Sequence, residues 1–335
     1  MIYSRIRPLP RHLTTHPPPS SSSITAPGDE DASDESPDEI FTSSLSHLFP
    51  DDAPQCYGDP GQRLLYSSPR YGDIALMVPT YPSESEDQDR RQGTAGAAGD
   101  AHLSQVEEGR KLFAHILWSA GIVVAEGLER AHGNTGEVMW RVGGERVLEL
   151  GAGAALPSII AALAGASTVT ITDHPSSPAL GPSGAISFNI TQNLCSATCA
   201  VDTAPHEWGV LDSDPWAVQH KAFYTRLIAA DCCWMRSQHE NLTRTIKWFL
   251  APEGKVWVVA GFHTGRAIVA GFFETASRAG LEIEGIYERD LHSSSEEEGG
   301  EVRREWVEVR EGEGAENRSR WCVVALLRHA STPQP

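Results

Sequence analysis

A glycine-rich turn between residues 147 and 157 has the clearest chemical content in the sequence. The stretch reads Val-Leu-Glu-Leu-Gly-Ala-Gly-Ala-Ala-Leu-Pro, an apolar strand followed by a Gly-x-Gly turn and the start of an apolar helix. Because glycine has no side chain, such a turn lets the main chain and the N–H groups of the helix approach a ligand closely. Dinucleotides, phosphates and S-adenosylmethionine are all bound by turns of this kind.

Neighbouring residues narrow the choice of ligand. Glu149 lies two residues before the first glycine, Gly151, and the third small position of the turn is Ala155, where a nicotinamide enzyme would usually have a third glycine. About 20 residues beyond Gly153, a second apolar run ends in Asp173, and an acid at that place can bind a ribose diol. The combination favours an adenosyl cofactor. The alternatives are that the glycines only reverse the chain and that the acid caps a helix.

Further candidates follow the ends of other predicted strands, where ligands of doubly wound sheets bind. Trp208 could wall an adenine or pack in the core. Asp231 ends an apolar strand, where an unpaired carboxylate is costly to bury, so we interpret it as facing the catalytic cleft or as capping the next turn. Trp234 would then stand where a reacting amine arrives, and its ring would stabilise a cation. His263 and Arg266 could reach a substrate, although a helix start explains them equally well.

No metal-binding constellation and no Ser/His/Asp arrangement stands out, so we expect no metal. Methyl transfer from an activated sulfonium needs neither, because the protein mainly aligns the nucleophile, the methyl carbon and the leaving sulfur. A lysine nucleophile must first lose its proton, and a desolvated pocket with a nearby carboxylate assists that loss.

Alternating strand and helix patterns must position these residues. They predict a mostly parallel sheet covered by helices on both faces. A helical pattern runs from about Gln105 to Ala131 and contains Trp118, which it places in the core. Strands are predicted at 145–150, 167–172, 198–202, 226–231, 255–260, 281–287 and 321–327, and helices at 155–164, 183–194, 237–250 and 266–279. Because the last two strands have no helix between them, we expect seven strands with an antiparallel last one.

Composition divides the chain into tails, an extension and a main domain. Residues 1–39 are rich in Pro, Ser, Asp and Glu and are expected to be disordered. Residues 40–104 are expected to form an extension with a loop and short strands, Leu64–Tyr66 and Ile74–Met77, packed onto the main domain. The main domain is expected to span residues 105–328 with a charged insertion at about 291–318, followed by a tail at 329–335.

The formal net charge of −18 is concentrated in two acidic tracts, residues 29–39 and 293–316. An acidic balance argues against general nucleic-acid binding, because phosphate contacts need clustered Lys and Arg. A basic protein partner is compatible with the tracts, although we expect them to be solvated, disordered segments. No apolar stretch is long enough to span a bilayer, so we expect no membrane partner. We expect a monomer that binds a protein substrate and no nucleic acid.

The cysteines indicate a reducing compartment. Cys232, Cys233 and Cys322 lie inside apolar runs, and the six cysteines do not form a disulfide framework. The first 28 residues contain arginines and no acid, as in a mitochondrial presequence, but the five prolines between residues 8 and 19 would break the amphipathic helix that such a signal needs. We therefore expect a cytoplasmic protein, with the nucleus as the alternative.

Several motifs occur in the order seen in a known enzyme family. They are Leu117-Trp-Ser-Ala-Gly121, Val147-Leu-Glu-Leu-Gly-Ala-Gly153, Thr172-Asp173, Trp208-Gly209, Ala229-Ala-Asp231 and Gln238-His-Glu240. Through these motifs the chain resembles the seven-strand family-16 methyltransferases over roughly residues 40–328. The stretch Val258-Val-Ala-Gly-Phe-His-Thr-Gly-Arg266 is most similar to a fungal branch labelled nicotinamide N-methyltransferase, which is related to the protein N-terminal and lysine methyltransferase of elongation factor 1-alpha.

The resemblance implies a class I methyltransferase fold, with a Rossmann-like α/β sheet, and S-adenosylmethionine as cofactor. Asp231 begins what in related lysine methyltransferases is an Asp-x-x-Tyr motif at the substrate entrance. Here the motif reads Asp-Cys-Cys-Trp, without the tyrosine hydroxyl, so Asp231 and Trp234 are the catalytic candidates. The resemblance implies cofactor contacts from Trp118, Gly151, Gly153, Asp173, Trp208 and Ala230. We add Glu149, which precedes the glycine turn, to these candidates.

The expected activity is N-methylation of a protein lysine or N-terminal amine, with a translation elongation factor as a candidate substrate. Methylation of nicotinamide is the small-molecule alternative. A catalytically silent family member that binds a partner is the alternative of a different class.

Overall fold

The computed structural model describes residues 2–9, 56–80, 116–133, 138–195, 197–293 and 300–331. The strands are β1 (Ile6–Pro8), β2 (Cys56–Tyr57), β3 (Arg63–Ser68), β4 (Gly72–Met77), β5 (Leu117–Trp118), β6 (Arg146–Glu149), β7 (Thr168–Asp173), β8 (Ala200–Pro205), β9 (Tyr224–Ala230), β10 (Leu250–Gly261), β11 (Leu281–Asp290), β12 (Arg303–Arg304) and β13 (Trp321–His329). The helices are α1 (Ser119–Ala131), α2 (Leu156–Leu163), α3 (Ala185–Asn193), α4 (Pro215–Gln219), α5 (His239–Phe249), α6 (Arg266–Arg278) and α7 (Ala315–Ser319).

The central sheet has the strand order β12-β11-β13-β10-β9-β6-β7-β8. Strands β6 to β10 are parallel, and β13 runs antiparallel to both of its neighbours. The predicted seven-stranded sheet with an antiparallel last strand is therefore confirmed. The insertion adds an eighth strand, β12, at the edge of β11, and the short helix α7, both absent from the prediction. A two-residue strand and a five-residue helix are too short to produce a periodic pattern.

Helices bury both faces of this sheet. Trp257 and Val259 of β10 lie in the apolar cluster that contains α1 and α2, whereas Val256 and Val258 lie in the cluster that contains α5 and α6. Successive side chains of a strand point to opposite faces, so a strand covered on both sides must be apolar at every position. This is why residues 256–260 of β10 form a continuous apolar run.

The N-terminal extension packs onto the main domain through a second sheet of order β1-β3-β4. The predicted strands at Leu64–Tyr66 and Ile74–Met77 correspond to β3 and β4. The side-chain amide of Asn189, on α3, binds the N–H and the C=O of Met77 at 2.6 and 3.1 Å, and Asn193 does the same for Ala75 at 3.0 and 2.8 Å. These amides satisfy the backbone groups at the edge of β4 and join the extension to the main domain.

The helix predicted from residue 105 begins later. Ser119 is the first residue of α1, and Leu117–Trp118 instead form β5, which pairs with β2. The part of the prediction between 105 and 115 lies outside the described residues. Pairing with a strand that is distant in the sequence decides the conformation here, and the apolar spacing of a helix does not reveal such a partner.

The segment 2–9 is structured, contrary to the prediction of a disordered tail over residues 1–39; residues 10–39 lie outside the described part. β1 pairs with β3, and the Arg5 side chain is buried. Its guanidinium forms ion pairs with Glu126 at 2.7 Å and Glu129 at 3.1 Å, two buried acids of α1, and Glu126 also pairs with Arg289 of β11. Buried carboxylates require such partners, so α1 holds the N-terminal segment by charge.

The insertion is also partly ordered, contrary to the expectation of a solvated tract. Glu288 is fully buried and pairs with Arg266 at 2.6 Å and Arg304 at 2.6 Å, and both arginines also pair with Glu313. These arginines hold the pKa of the Glu288 carboxyl below its ordinary value. The acids of residues 300–320 are therefore partly neutralised by local arginines, a three-dimensional pairing that the net charge conceals. Residues 294–299 and 332–335 lie outside the described part.

Removal of the Arg5 side chain should destabilise the fold much more than removal of Arg7. Arg5→Ala leaves two buried carboxylates without this partner, a change that costs about 3–5 kcal/mol. Arg7 pairs with Asp73 on the surface, so Arg7→Ala should cost less than about 1 kcal/mol. Urea unfolding of both variants measures the difference, and equal losses would show that residues 2–9 are not docked on α1.

Candidate active site

The glycine turn follows a backbone path that few residues adopt. Gly151 and Gly153 have φ angles of +62° and +52°, and Ala155, just before α2, has +56°. A Cβ atom on Gly151 would lie 3.2 Å from both the Cys232 sulfur and the Trp208 ring. A side chain at this position would therefore be strained and also crowded, so glycine is required for two reasons.

Glu149 lies beneath the turn and is turned into the protein. Its carboxylate accepts a hydrogen bond of 3.0 Å from the Ser158 N–H at the start of α2, and its carbonyl accepts one of 2.7 Å from the Thr172 hydroxyl. Burial, with a further contribution from the charge of Asp173, raises the pKa of the carboxyl to about 8. Glu149 thus joins β6, β7 and α2 around the glycine turn.

Asp173 joins the turn to the end of β7. One carboxylate oxygen accepts a hydrogen bond of 2.8 Å from the Gly153 N–H, and the other accepts one of 2.7 Å from the His174 N–H. The Asp173 carbonyl accepts a third hydrogen bond, of 2.8 Å, from the His206 N–H beyond β8. Since a carboxylate can accept several hydrogen bonds at once, Asp173 can hold the turn and the hydroxyls of a ribose together.

Asp231 follows β9 with an unusual φ of +57°. One of its carboxylate oxygens, Oδ1, lies 3.2 Å from the N atom of Gly261, the last residue of β10, and 3.1 Å from Nε2 of His263, just beyond that strand. The His263 ring stacks on Trp118 with 4.2 Å between the ring centroids. The strand ends of β9 and β10 and the start of α1 thus meet at one edge of the sheet.

The N-terminal extension also reaches this edge. Trp118 pairs with Cys56 in the two-stranded β2–β5 sheet, and burial together with the charge of Asp231 raises the pKa of the Cys56 thiol. The sequence provides no sign of this contact, because β2 has only two residues. Cys56 is therefore a residue of the site region that sequence reasoning missed.

The remaining predicted residues lie around the same edge. Ala230 is the last residue of β9 and is paired with Val259 of β10, and Trp234 lies half-buried in the turn that follows. Trp208 follows β8, and its ring lies against Gly151. Arg266 lies elsewhere, in the ion cluster with Glu288 and Glu313, and not at the cleft.

Two further properties concern the described part of the chain. Within it, His, Cys, Asp and Glu side chains form no group of three or more that could hold a metal ion. The helices found there are too short or too polar to span a membrane. All six cysteines are free thiols.

The residues at this edge fit an adenosyl cofactor. Strand order reverses between β6 and β9, so the crevice beyond their carboxyl ends is the expected ligand site of the sheet. The glycine turn opens there beside the Asp173 carboxylate and the Trp208 ring. A doubly wound sheet with an antiparallel last strand, and with these groups at the ends of its strands, defines the class of S-adenosylmethionine-dependent methyltransferases.

Comparison with known proteins identifies the family within this class. The family model described as lysine methyltransferase matches residues 98–279, and the chain belongs to that family. It is an enzyme that uses S-adenosylmethionine as methyl donor for N-methylation.

Two relatives agree with the assignment, and one solved structure is similar to the chain. The protein N-terminal and lysine N-methyltransferase EFM7 of Yarrowia lipolytica is 30% identical over 205 residues, which cover 56% of this chain and 72% of the relative. The enzyme of the same name from Gibberella zeae is 32% identical over 197 residues, 53% of this chain and 69% of the relative. A TehB-like methyltransferase structure from Corynebacterium glutamicum has 16% identity and a TM-score of 0.40, covering 69% of this chain and 98% of that chain.

Replacement of Glu149 by glutamine should change the pH dependence of the free energy of unfolding. Burial raises the pKa of the carboxyl from 4.5 to about 8, so between these values the folded state binds more protons than the unfolded state. The stabilising contribution of this group is therefore complete below pH 4.5 and is lost as the pH rises towards 8. Wild type should lose stability relative to Glu149→Gln over this window, by about 5 kcal/mol at most.

Urea unfolding from about pH 5 to about pH 9 measures this difference. Glu240→Gln, at an exposed glutamate of α5, is the matched control and should show no such trend. A difference between wild type and Glu149→Gln that stays constant over the range would contradict a buried carboxyl.

Replacement of Asp173 by alanine should weaken binding of S-adenosylmethionine. Loss of hydrogen bonds to the ribose and to the turn should cost about 1.5–3 kcal/mol, a roughly 10- to 150-fold rise in Kd. Calorimetric titration measures the Kd, with Asp202→Ala, an exposed acid of the neighbouring β8, as the control. An unchanged Kd would place the ribose away from Asp173.

Proposed function

We propose that this enzyme methylates an amine of a protein, either a lysine side chain or an N-terminal amine, with a translation elongation factor as the candidate substrate. The observation that carries the proposal is the Asp231 carboxylate, held at the same edge of the sheet as the glycine turn. The EFM7 relatives, named as protein N-terminal and lysine N-methyltransferases, support a protein substrate.

On the cofactor side, the chain offers a turn, a carboxylate and aromatic rings. Asp173 would bind the ribose hydroxyls, and the backbone of Gly151 and Gly153 would lie against the cofactor. Trp208, Trp118 and the backbone of Ala230 would line the cofactor pocket. Glu149 acts through the turn, because its carboxylate is bound to Ser158. When bound, S-adenosylmethionine supplies a methyl group activated by its sulfonium charge.

On the substrate side, Asp231 would attract the amine. A carboxylate draws a protonated amine into the cleft, and a partly desolvated site favours the neutral, nucleophilic form of that amine. The half-buried Trp234 would offer an aromatic face to the cationic group. These roles need no metal and no covalent intermediate, because the chain only orients the amine and assists loss of its proton.

The motif Asp-Cys-Cys-Trp bears on which amine is used. Cys232 and Cys233 are fully buried, and the Cys232 thiol lies 3.2 Å from the Leu150 carbonyl oxygen, so both pack behind the site. Trp234 replaces a tyrosine hydroxyl by an indole, which changes a hydrogen-bonding wall into an aromatic one. Such a wall accepts lysine and N-terminal amines alike.

The free thiols indicate which cellular compartment contains the enzyme. All six cysteines are unpaired with one another, and Cys232, Cys233 and Cys322 are buried, as is usual in a reducing compartment. We therefore place the enzyme in the cytoplasm, where a translation factor would be accessible to it.

Incubation of the enzyme and methyl-labelled S-adenosylmethionine with cell lysate and with purified elongation factor 1-alpha tests the proposal. Label should enter a discrete protein band, and mass spectrometry should locate it on an amine. Asp231→Ala should lower the rate by roughly 10- to 100-fold while the cofactor Kd changes by less than about threefold. Asp212→Ala, at an exposed acid, is the control.

The other outcomes are informative. Label found only in small molecules would favour nicotinamide methylation, and no label in either fraction would indicate a silent binding protein. A larger effect of Asp231→Ala on the cofactor Kd than on the rate would move Asp231 from the substrate side to the cofactor side.

A further inference from the structure

The two oxygens of the Asp231 carboxylate lie in different environments. Oδ1 accepts hydrogen bonds from the Gly261 N–H and from His263 Nε2. Within the described part of the chain, no hydrogen bond reaches the other oxygen, Oδ2. The side chain is 4% exposed, so an ionised carboxylate here requires polar partners. The environment therefore leaves Oδ2 as the oxygen able to accept a hydrogen bond from a ligand.

Contact with the carboxylate determines which nitrogen of the His263 ring points a hydrogen at Asp231. An ionised carboxylate has only acceptor positions, so Nε2 must carry the hydrogen of the 3.1 Å contact. The ring stacks on Trp118 with an angle of 22° between the two planes. His263 is thus held between an indole on one side and a carboxylate on the other.

The Asp231 backbone is held in an unusual conformation, whereas its side chain can turn. Its φ of +57° is unfavourable for a residue with a side chain, and its N–H is bound to the Val259 carbonyl at 2.7 Å. The torsion that turns a carboxylate is soft, with broad minima. Without His263, only the Gly261 N–H at 3.2 Å would hold Oδ1, and the carboxylate could rotate.

We propose that His263 is a positioning residue, whose Nε2–H holds Oδ1 of Asp231 so that Oδ2 receives the amine of the substrate. This assignment rests on the proposed function, since it gives the held carboxylate an amine to orient. His263 transfers no proton itself. By stacking on Trp118 it also ties the carboxylate on the substrate side to a residue on the cofactor side.

Two substitutions separate the hydrogen bond from the stacking. His263→Gln keeps an N–H donor of similar reach but lacks the aromatic ring, whereas His263→Phe keeps the ring and loses the donor. His263→Phe should lower kcat by roughly 10- to 100-fold, because a misplaced reacting group costs that much, and His263→Gln should recover most of the loss. The Kd for S-adenosylmethionine should change by less than about threefold in both.

His329→Phe is the matched control. His329 Nε2 also lies 3.1 Å from an oxygen, the carbonyl of Leu250, but at the opposite end of β10 from Asp231. It should leave kcat unchanged. If His263→Phe keeps full turnover while His263→Gln loses it, stacking matters and the proposal is overturned.

A spectroscopic measurement on the ligand-free enzyme keeps the test independent of the substrate. Nitrogen-15 spectra of histidine-labelled protein report which ring nitrogen carries the proton, and the signal missing in His263→Gln identifies the residue. The ring should be protonated on Nε2, and this preference should be lost in Asp231→Ala. A neutral wild-type ring that carries its proton on Nδ1 would overturn the assignment, whereas failure to label a protein would overturn only the proposed function.

Discussion

The hydrogen bond from the Gly153 N–H to the Asp173 carboxylate connects the glycine turn after β6 to the end of β7. The crevice for the cofactor lies at these strand ends. Gly151, Gly153 and Ala155 of this turn all have positive φ angles, so the turn is not stable by itself. Its N–H groups also need acceptors. Asp173 supplies one acceptor, and Glu149 supplies another at the start of α2. Two acids from neighbouring strands thus maintain a backbone shape that glycine permits but does not enforce.

The same requirement, that a buried charge have a partner, explains how the outer segments attach. Glu126 and Glu129 of α1 hold Arg5, and Glu288 of β11 holds Arg266 and Arg304. Each pair joins segments that are far apart in the sequence. In a chain with a net charge of −18, these buried acids are thus each matched by at least one arginine.

The sequence predicts the sheet well because the central strands are buried on both faces, which gives apolar runs such as residues 227–230 of β9 and 256–260 of β10. It also places Asp173 and Asp231 at strand ends. It does not predict β5, β2 or β12, each of two residues, because their pairing depends on distant partners. For the same reason it leaves the roles of His263 and Arg266 open, although the two lie three residues apart: one contacts Asp231 and the other Glu288.

The pairing of β10 with β13 has a consequence for the limits of the family region. That region ends at residue 279, whereas Lys255 to Gly261 of β10 pair with Cys322 to Arg328 of β13. A fragment ending at 279 would expose this side of β10 as a long, apolar, unpaired edge. Such an edge is a template for strands of other chains. The last strand therefore covers an edge of β10 that would otherwise be open to strands of other chains.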